Sequence, residues 1–362
     1  MIKKISSFFL LVSVLFSCSS DVDIIGPYDS TTVVYGLLNA GDDIHYVKIN
    51  KTFLGEEDAL IMAQHQDSSE YSNIDARIEK WVNGIQQDYH RTLRDTIVED
   101  KEPGIFYYPE QTIYYFIDDD LEPEAEYRIV IEIEGKEEVV SGSTLIIQPT
   151  MSVPPTLSGG LSASTANQGL SFVRTYDPGN VEYIDSYNIS LTTIPVGKRY
   201  SARFATNYTE VRLNGDSIQK QVNWTLDTRT SSGTDGGESL DITTSGENFY
   251  INLQSNISPN SDVDRRIFRG VDFTIFIGGE ELYTYSLVNE PVTGIVEERP
   301  DYTNITNGIG VFSSRSIVTI EGNELNLNLN SMKELCLGQY TGSLKFCSDN
   351  PQYQFEQFYC PD

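Results

Sequence analysis

Apolar and polar side chains alternate with a period of two along most of this chain. Residues 31–38 and 44–51 form a first pair of alternating runs, and Tyr127, Ile129 and Ile131 occupy one face of a later run. Successive side chains of a β-strand point to opposite faces, so this pattern predicts half-buried strands. The pattern therefore predicts an all-β protein.

Helical periodicity is confined to two short stretches. Ala59, Leu60 and Ala63 share one helical face, which predicts a short helix within residues 56–64. A single helical turn is predicted at 331–335. Both are excursions between strands rather than parts of a helical bundle.

Turn signals divide the second half of the chain into hairpins. Asn214-Gly215 lies between two strand-like runs and predicts a tight hairpin. Gly278-Gly279 predicts another, between residues 273–277 and 282–287. The regular spacing of leucines over residues 325–330 predicts a further strand.

The sequence Leu121-Glu122-Pro123-Glu124-Ala125-Glu126-Tyr127 resembles the tyrosine corner of fibronectin type III and immunoglobulin-like sandwiches. In such a corner the tyrosine hydroxyl bonds to the backbone a few residues upstream. The resemblance implies an Ig-like β-sandwich over residues 32–148. Proline and glycine in residues 149–160 predict a linker, and a second β-rich, sandwich-like domain is expected over residues 161–362.

The N-terminus has the layout of a secretory signal. Lys3 and Lys4 precede an apolar run over residues 5–16, which is too short to span a bilayer. Leu15-Phe16-Ser17-Cys18 resembles the lipobox of bacterial lipoproteins. The resemblance implies that residues 1–17 are removed and that Cys18 is acylated, whereas an ordinary signal peptide followed by a structural cysteine is the alternative.

Residues 18–31 are then the acylated cysteine and a flexible tether. More than one acyl chain holds a protein firmly at a bilayer, whereas a single chain binds only marginally. The acidic residues Asp21 and Asp23 resemble the export tag of some Gram-negative lipoproteins. The expected location is therefore the outer membrane, facing the cell exterior.

The general layout also resembles a wider group of proteins. The chain is similar to uncharacterised outer-membrane lipoproteins of glycan-degrading Gram-negative bacteria. The similarity lies in the order of a lipobox, an Ig-like N-terminal domain and a β-rich C-terminal domain, and in residues 302–312, Cys336 and residues 340–346. That group carries no established catalytic residues that could be assigned to positions here.

The formal charge of −28 narrows the choice of partners. A strongly negative surface repels phosphate backbones, so nucleic acid is not an expected partner. The charge suits solubility at a crowded cell surface, or a cationic or calcium-dependent partner.

Three cysteines lie close together near the C-terminus. Outside the cytoplasm disulfides persist, and Cys336, Cys347 and Cys360 permit three single pairings. Cys336 with Cys347 is the preferred pair, because a strand over residues 340–346 would return the chain beside its start. No spacing typical of a zinc site is present, and no cofactor is expected.

Candidate catalytic groups do not assemble into a known pattern. Gly215-Asp216-Ser217 resembles the nucleophile block of some esterases, but that chemistry needs a downstream histidine as general base. The histidines are His45, His65 and His90, all upstream and predicted at the surface. A hydrolase with two carboxylates remains an alternative, since 53 acidic residues neither support nor exclude it.

One acidic run offers oxygen ligands of the kind that calcium takes. Asp118, Asp119 and Asp120 precede further glutamates. The run lacks the spacing and the glycine of an EF-hand loop, so a solvated acidic turn is the preferred interpretation.

Two aromatic runs are the candidate binding face. Phe106-Tyr107-Tyr108 and Tyr114-Tyr115-Phe116 place rings where they could stack on sugars. Alternation also implies that one ring of each run points into the core. The candidate ligand-binding residues are Tyr107, Tyr108, Tyr114 and Tyr115.

These observations predict a non-catalytic, lipid-anchored surface protein that binds or scaffolds an extracellular partner. The alternative is a glycan-binding accessory lipoprotein of a polysaccharide uptake system.

Overall fold

The computed structural model describes residues 28–360 except 56, 124, 154, 158–160, 163–168, 290–300 and 321–324. Strands account for 46% and helices for 14%, which confirms the predicted all-β, sandwich-like class. The predicted signal peptide, Cys18 and most of the tether lie outside the described residues. None of the helices in the described part of the chain has the length and apolar character that crossing a bilayer requires.

The elements are numbered along the described chain. The strands are β1 (Thr32–Leu38), β2 (Ile44–Lys51), β3 (Asp75–Val82), β4 (Ile85–Thr92), β5 (Arg94–Val98), β6 (Gln111–Ile117), β7 (Glu126–Glu132), β8 (Val139–Ser141), β9 (Thr144–Leu145), β10 (Thr156–Leu157), β11 (Leu161–Ser162), β12 (Val173–Thr175), β13 (Glu182–Tyr183), β14 (Tyr187–Thr192), β15 (Arg199–Arg212), β16 (Ser217–Thr230), β17 (Ser239–Thr244), β18 (Val263–Gly278), β19 (Ile305–Thr306), β20 (Gly308–Ile320) and β21 (Phe346–Cys347). The helices are α1 (Ala59–Met62), α2 (Gln66–Ser69), α3 (Glu247–Asn256), α4 (Glu280–Asn289) and α5 (Leu329–Leu337), with 3₁₀ turns at Gly342–Leu344 and Pro351–Tyr353.

The N-terminal part of the chain forms a sandwich of two sheets. One sheet runs in the order β20-β1-β2-β6-β5, and the other in the order β19-β8-β7-β3-β4 with β9 beside β7. Their inner faces share one apolar core, to which Val34, Val47 and Phe116 contribute from the first sheet and Ile78 and Ile129 from the second. The period-two alternation thus buries one face of β1, β2 and β6, whereas the edge strands β4 and β5 have no fully buried residue.

The predicted tyrosine corner is present. Tyr127 is fully buried, and its hydroxyl accepts a hydrogen bond from the backbone N–H of Glu122 at 3.0 Å. A second tyrosine makes a similar contact that sequence reasoning missed. The hydroxyl of Tyr200 accepts from the Ile194 N–H at 3.0 Å and donates to the Ile194 carbonyl at 3.3 Å.

Strand β20 joins the two halves of the molecule. Its first part pairs parallel to β1, from Thr32↔Gly308 to Leu38↔Ser314, and its second part pairs antiparallel to β18. A single sheet therefore runs β16-β15-β18-β20-β1-β2-β6-β5. The expected division into consecutive domains 32–148 and 161–362 differs from this topology, because β19 and β20 lie within the N-terminal sandwich.

Gly310 permits this junction. Its φ is +118°, and a Cβ there would lie 2.0 Å from the carbonyl oxygen of Val34. Only glycine combines that backbone conformation with so close an approach. The strand can therefore pair with β1 only with glycine at this position.

The second core is aromatic and lies beneath the long strands β15, β16 and β18. Phe172 stacks on Phe249 with ring centroids 4.4 Å apart, and Phe204 lies 4.9 Å from Phe273. The smaller sheet β11-β10-β14-β17 contributes further residues to this core, as do α3 and α5.

Two of the strands predicted in the second half are wholly or partly helical instead. The hairpin at Asn214-Gly215 is present between β15 and β16, but residues 282–287 form α4 rather than the partner of β18. The distant strand β20 pairs with β18 in its place. Glu280 and Glu281 lie in the first turn of α4, where acidic side chains stabilise a helix. Similarly, Leu329 begins α5 instead of extending a strand.

The preferred disulfide is also wrong. Cys347 pairs with Cys360, and Cys336 is a free, buried thiol on α5. Residues 342–344 form a 3₁₀ turn rather than a returning strand. Cys336 lies on the buried face of α5, with its Sγ 3.8 Å from the Met332 Sδ. The last segment instead returns beside Cys347, with the Cys360 N–H donating to the Ser348 carbonyl at 3.0 Å.

Candidate functional site

A groove of about 530 Å³ lies on the outer face of the N-terminal sandwich. Its floor is the solvent-facing side of β1, β2 and β6. Its wall is the excursion between β2 and β3, which carries α1 and α2, together with the loop between β5 and β6. The residues that line this groove, hereafter the cationic groove, are Val33, Tyr35, Lys48, Asn50, Lys51, Thr52, Phe53, Ser69, Glu70, Lys101, Phe106, Tyr107 and Gln111.

The strand period explains the floor. Val47 and Ile49 of β2 are buried in the core, so Lys48 and Asn50 point to the opposite face. Strand pairing sets Lys48 beside Tyr35 of β1. The floor therefore presents a ring, a cation and an amide side by side.

The wall is tied to the sandwich by hydrogen bonds. The Tyr107 N–H donates to the Ala63 carbonyl at 2.8 Å, which joins the loop between β5 and β6 to the end of α1. Lys101 Nζ donates to the Tyr107 carbonyl at 2.6 Å. These bonds hold the rings of Phe106 and Tyr107 at the edge of the groove.

The charges of the groove are predominantly positive. Burial lowers the pKa of Lys48, and the charge of Lys101 lowers it further, while Glu70 acts in the opposite direction. Lys51 Nζ lies 5.5 Å from the ring centroid of Tyr71. The groove is thus a local reversal of the negative charge of the whole chain.

Glu70 is the carboxylate of this groove, and its oxygens are already engaged. They accept hydrogen bonds from the Thr112 N–H at 3.1 Å, the Thr112 hydroxyl at 2.5 Å and Gln66 Nε2 at 3.0 Å. These contacts fasten α2 to β6. Glycoside hydrolysis ordinarily needs two carboxylates, and the described lining residues of the groove supply this single, hydrogen-bonded one.

Asn50 contributes an unused acceptor. Its Nδ2 donates to the Ser69 carbonyl at 3.0 Å. Its Oδ1 is buried and has no hydrogen-bond partner among the described residues. Buried polar atoms are normally paired, so this oxygen is an unsatisfied acceptor on a residue that lines the groove.

The four tyrosines predicted to bind a ligand fall in different places. Tyr107 lines the groove and Tyr108, beside it, is 47% exposed. Tyr115 lies on the outer sheet face with its ring 6.3 Å from that of Tyr46. Tyr114 points into the core at 7% exposure, where burial, aided by the charges of Asp95 and Glu70, raises its pKa to about 12.

The aspartate run closes a turn. The carboxylate of Asp118, 6% exposed, accepts hydrogen bonds from the Tyr89 hydroxyl and the Asp120 N–H, and lies 3.0 Å from Arg91 Nε. Burial raises the pKa of Asp118, but these partners outweigh burial and lower it. Among the residues that the structure describes, no group of three His, Cys, Asp or Glu side chains is placed to hold a metal. The carboxylate of Asp118 is thus engaged within the protein, and the calcium candidate at Asp118, Asp119 and Asp120 stays a prediction.

His45 is not at the surface as predicted. It is 2% exposed, its ring stacks on Phe116 with centroids 4.8 Å apart, and its Nε2 lies 2.8 Å from the Asp118 carbonyl oxygen. The ring therefore supports the same turn as Asp118 and is shielded from solvent.

Sequence reasoning missed Tyr35, Lys48, Asn50 and Lys101. A signal for the floor was available, since Tyr46, Lys48 and Asn50 occupy alternate positions of a predicted strand whose other face is apolar. The contribution of Lys101 had no such signal, because it comes from an irregular loop.

Comparisons with known proteins add little to this picture. No protein-family profile matches the chain, and no curated protein sequence is significantly similar to it. Among solved structures, the chain is similar to the C-terminal globular domain of an oligosaccharyltransferase from Pyrococcus abyssi. The identity is 9%, the TM-score is 0.23, and the match covers 68% of this chain and 48% of that one. This chain thus matches about half the length of that domain, and a likeness of this degree carries no functional argument.

Proposed function

We propose that this protein is a non-catalytic, lipid-anchored protein of the outer membrane that binds an extracellular ligand in the cationic groove. The observation that carries the ligand-binding part of the proposal is the composition of the groove, and the resemblance of residues 15–18 to a lipobox supports the anchor. A volume of about 530 Å³ falls within the range of small-ligand sites. Aromatic rings, two amide side chains and lysines line it, and its carboxylate is already hydrogen-bonded within the protein.

The preferred ligand is a saccharide. Rings such as those of Phe106 and Tyr107 can pack against the apolar face of a sugar, and Tyr in particular is common at recognition surfaces. Asn50 and Gln111 supply amide groups of the kind that bond sugar hydroxyls. This supports the narrower function of a glycan-binding accessory lipoprotein in polysaccharide uptake.

Binding to an array of neutral and acidic oligosaccharides tests the ligand class. We expect saturable binding by the purified mature protein and a loss of about tenfold or more in affinity for Tyr107→Ala, which removes a ring from the wall. Phe355→Ala is the matched control, since Phe355 is 93% exposed and does not line the groove. An array without any bound saccharide would refute the glycan function.

The anchor is tested separately. Palmitate supplied to cells should label the wild-type protein, and the Cys18→Ser variant should be unlabelled and soluble in the periplasm. Label that persists in Cys18→Ser would contradict lipid attachment at this residue. Protease treatment of whole cells distinguishes display on the outer face from display on the inner face.

A further inference from the structure

Three lysines of the cationic groove line one space without an ion pair to a carboxylate in the described part of the chain. Lys48 Nζ lies 3.5 Å from Gln111 Oε1, and Lys101 Nζ donates to the Tyr107 carbonyl. Neither Lys48, Lys51 nor Lys101 forms an ion pair within the described residues, although acidic residues outnumber basic ones by 53 to 25. Elsewhere, Lys80 and Lys220 are paired with a glutamate, whereas Lys198 and Lys345 donate to backbone carbonyls. The groove therefore keeps positive charge available.

Lys48 and Lys101 also repel each other. Burial disfavours the protonated form of Lys48 most, and the charge of Lys101 adds to that cost. Glu70 offsets part of this repulsion, but three hydrogen bonds hold its carboxylate against Thr112 and Gln66. An anion bound between the two ammonium groups would relieve the remainder.

An anion alone would not use the whole groove. The buried Oδ1 of Asn50 needs a hydrogen-bond donor, which a fully ionised sulfate or carboxylate does not offer. A sugar hydroxyl does offer one. The rings of Phe106 and Tyr107 in addition present apolar surface that would pack against a pyranose ring.

We propose that the cationic groove selects an acidic saccharide, a sugar unit that carries a carboxylate or a sulfate. Lys48 and Lys101 bind its anionic group, and Asn50 Oδ1 accepts a hydrogen bond from one of its hydroxyls. This proposal rests on the proposed function and names the class of ligand for the same site.

The experiment measures dissociation constants by calorimetry with the purified mature protein. The probes are oligogalacturonate and a chondroitin sulfate fragment, each compared with a neutral counterpart made by methyl esterification or by desulfation and carboxyl reduction. Inorganic sulfate serves as an anion without hydroxyl groups. The variants are Lys48→Met and Lys101→Met, and Lys198→Met is the matched control, because it removes the same charge outside the groove.

We expect at least one acidic probe to bind about tenfold or more tightly than its neutral counterpart. Lys48→Met and Lys101→Met should each weaken that binding by about tenfold and leave binding of the neutral counterpart within about twofold. Lys198→Met should change neither. Because both effects are ratios between two ligands on one folded protein, a general loss of stability would not produce them.

Three results would overturn the proposal in distinguishable ways. Equal affinity for acidic and neutral probes, lost in Tyr107→Ala but unchanged in the lysine variants, would leave a glycan-binding function and refute its acidic specificity. Inorganic sulfate binding as tightly as the acidic probes would show an anion site without saccharide recognition. Absence of binding to every saccharide would refute the glycan function together with this inference.

Discussion

Removing the buried ion pair between Arg266 and Glu210 tests which contacts stabilise the second half of the molecule. The two side chains are 2% and 3% exposed, and Arg266 Nη2 lies 3.0 Å from Glu210 Oε2. Arg266 also donates to the Leu344 carbonyl at 2.6 Å and to the Ser258 carbonyl at 3.3 Å. One guanidinium thus joins β15, β18 and the C-terminal segment.

Arg266→Met should cost about 3 kcal/mol of unfolding free energy. Breaking a buried ion pair by removing one partner costs about 3–5 kcal/mol, because it leaves an uncompensated charge and unpaired acceptors. The lower end applies here, since Lys220 Nζ remains 2.7 Å from Glu210 Oε1. Methionine fills a similar volume, so a cavity adds little.

Urea unfolding followed by tryptophan fluorescence measures the effect. With an m value of about 3 kcal/mol/M, the midpoint should fall by about 1 M urea. Arg265→Met is the matched control: its side chain is 34% exposed and pairs with Asp264 at 2.8 Å. An exposed pair of this kind contributes about 0–1 kcal/mol. Equal shifts for the two variants would refute the reasoning.

The same pair predicts a pH dependence. Burial alone would raise the pKa of Glu210, but the hydrogen bond from Lys220 and the charge of Arg266 outweigh burial and lower it. A carboxyl with a lowered folded-state pKa contributes stability above its unfolded pKa, about 4.3, and loses it as the pH falls through the folded value. The difference in unfolding free energy between wild type and Arg266→Met should therefore become smaller as the pH falls. A difference that grows in acid would contradict this explanation.

Three further predictions concern other parts of the fold. Tyr127→Phe should lower the free energy of unfolding by about 1 kcal/mol, because the Glu122 N–H loses its acceptor. An unchanged urea midpoint would contradict a stabilising role of the tyrosine corner. Glu334→Gln should raise the thermal midpoint at pH 8 more than at pH 5, since burial raises the pKa of Glu334 and the amide keeps an acceptor for the Tyr183 hydroxyl without the buried charge. A pH-independent difference would contradict it. Cys360→Ser should lower the free energy of unfolding by about 3 kcal/mol, because it opens the loop closed by the disulfide to Cys347. The wild type under reducing conditions should unfold at the same urea concentration as this variant. Wild type that is insensitive to reductant would refute this.

Local sequence features determined much of the architecture. Alternation placed β1 and β2 within one residue of their observed bounds, because a strand with one buried face must repeat every second residue. The corner at Tyr127 and the turn at Asn214-Gly215 also follow from neighbouring residues alone. In each case the determining contacts lie within one element or one turn.

Tertiary structure decided what depends on distant partners. Residues 282–287 have the composition of a strand, yet they are helical because β20 occupies the place beside β18. Cys347 bonds Cys360 because the last segment folds back, and Cys336 is buried on a helix.

The cationic groove could not be predicted from the sequence for the same reason. Its floor comes from β1, β2 and β6 and its wall from two segments between strands, so Lys48 and Lys101 line the same groove although 53 positions separate them. Alternation specifies which face of a strand a side chain occupies. It does not specify which loop covers that face, since loop position depends on hydrogen bonds such as that from Tyr107 to Ala63, which form only once the sandwich is assembled.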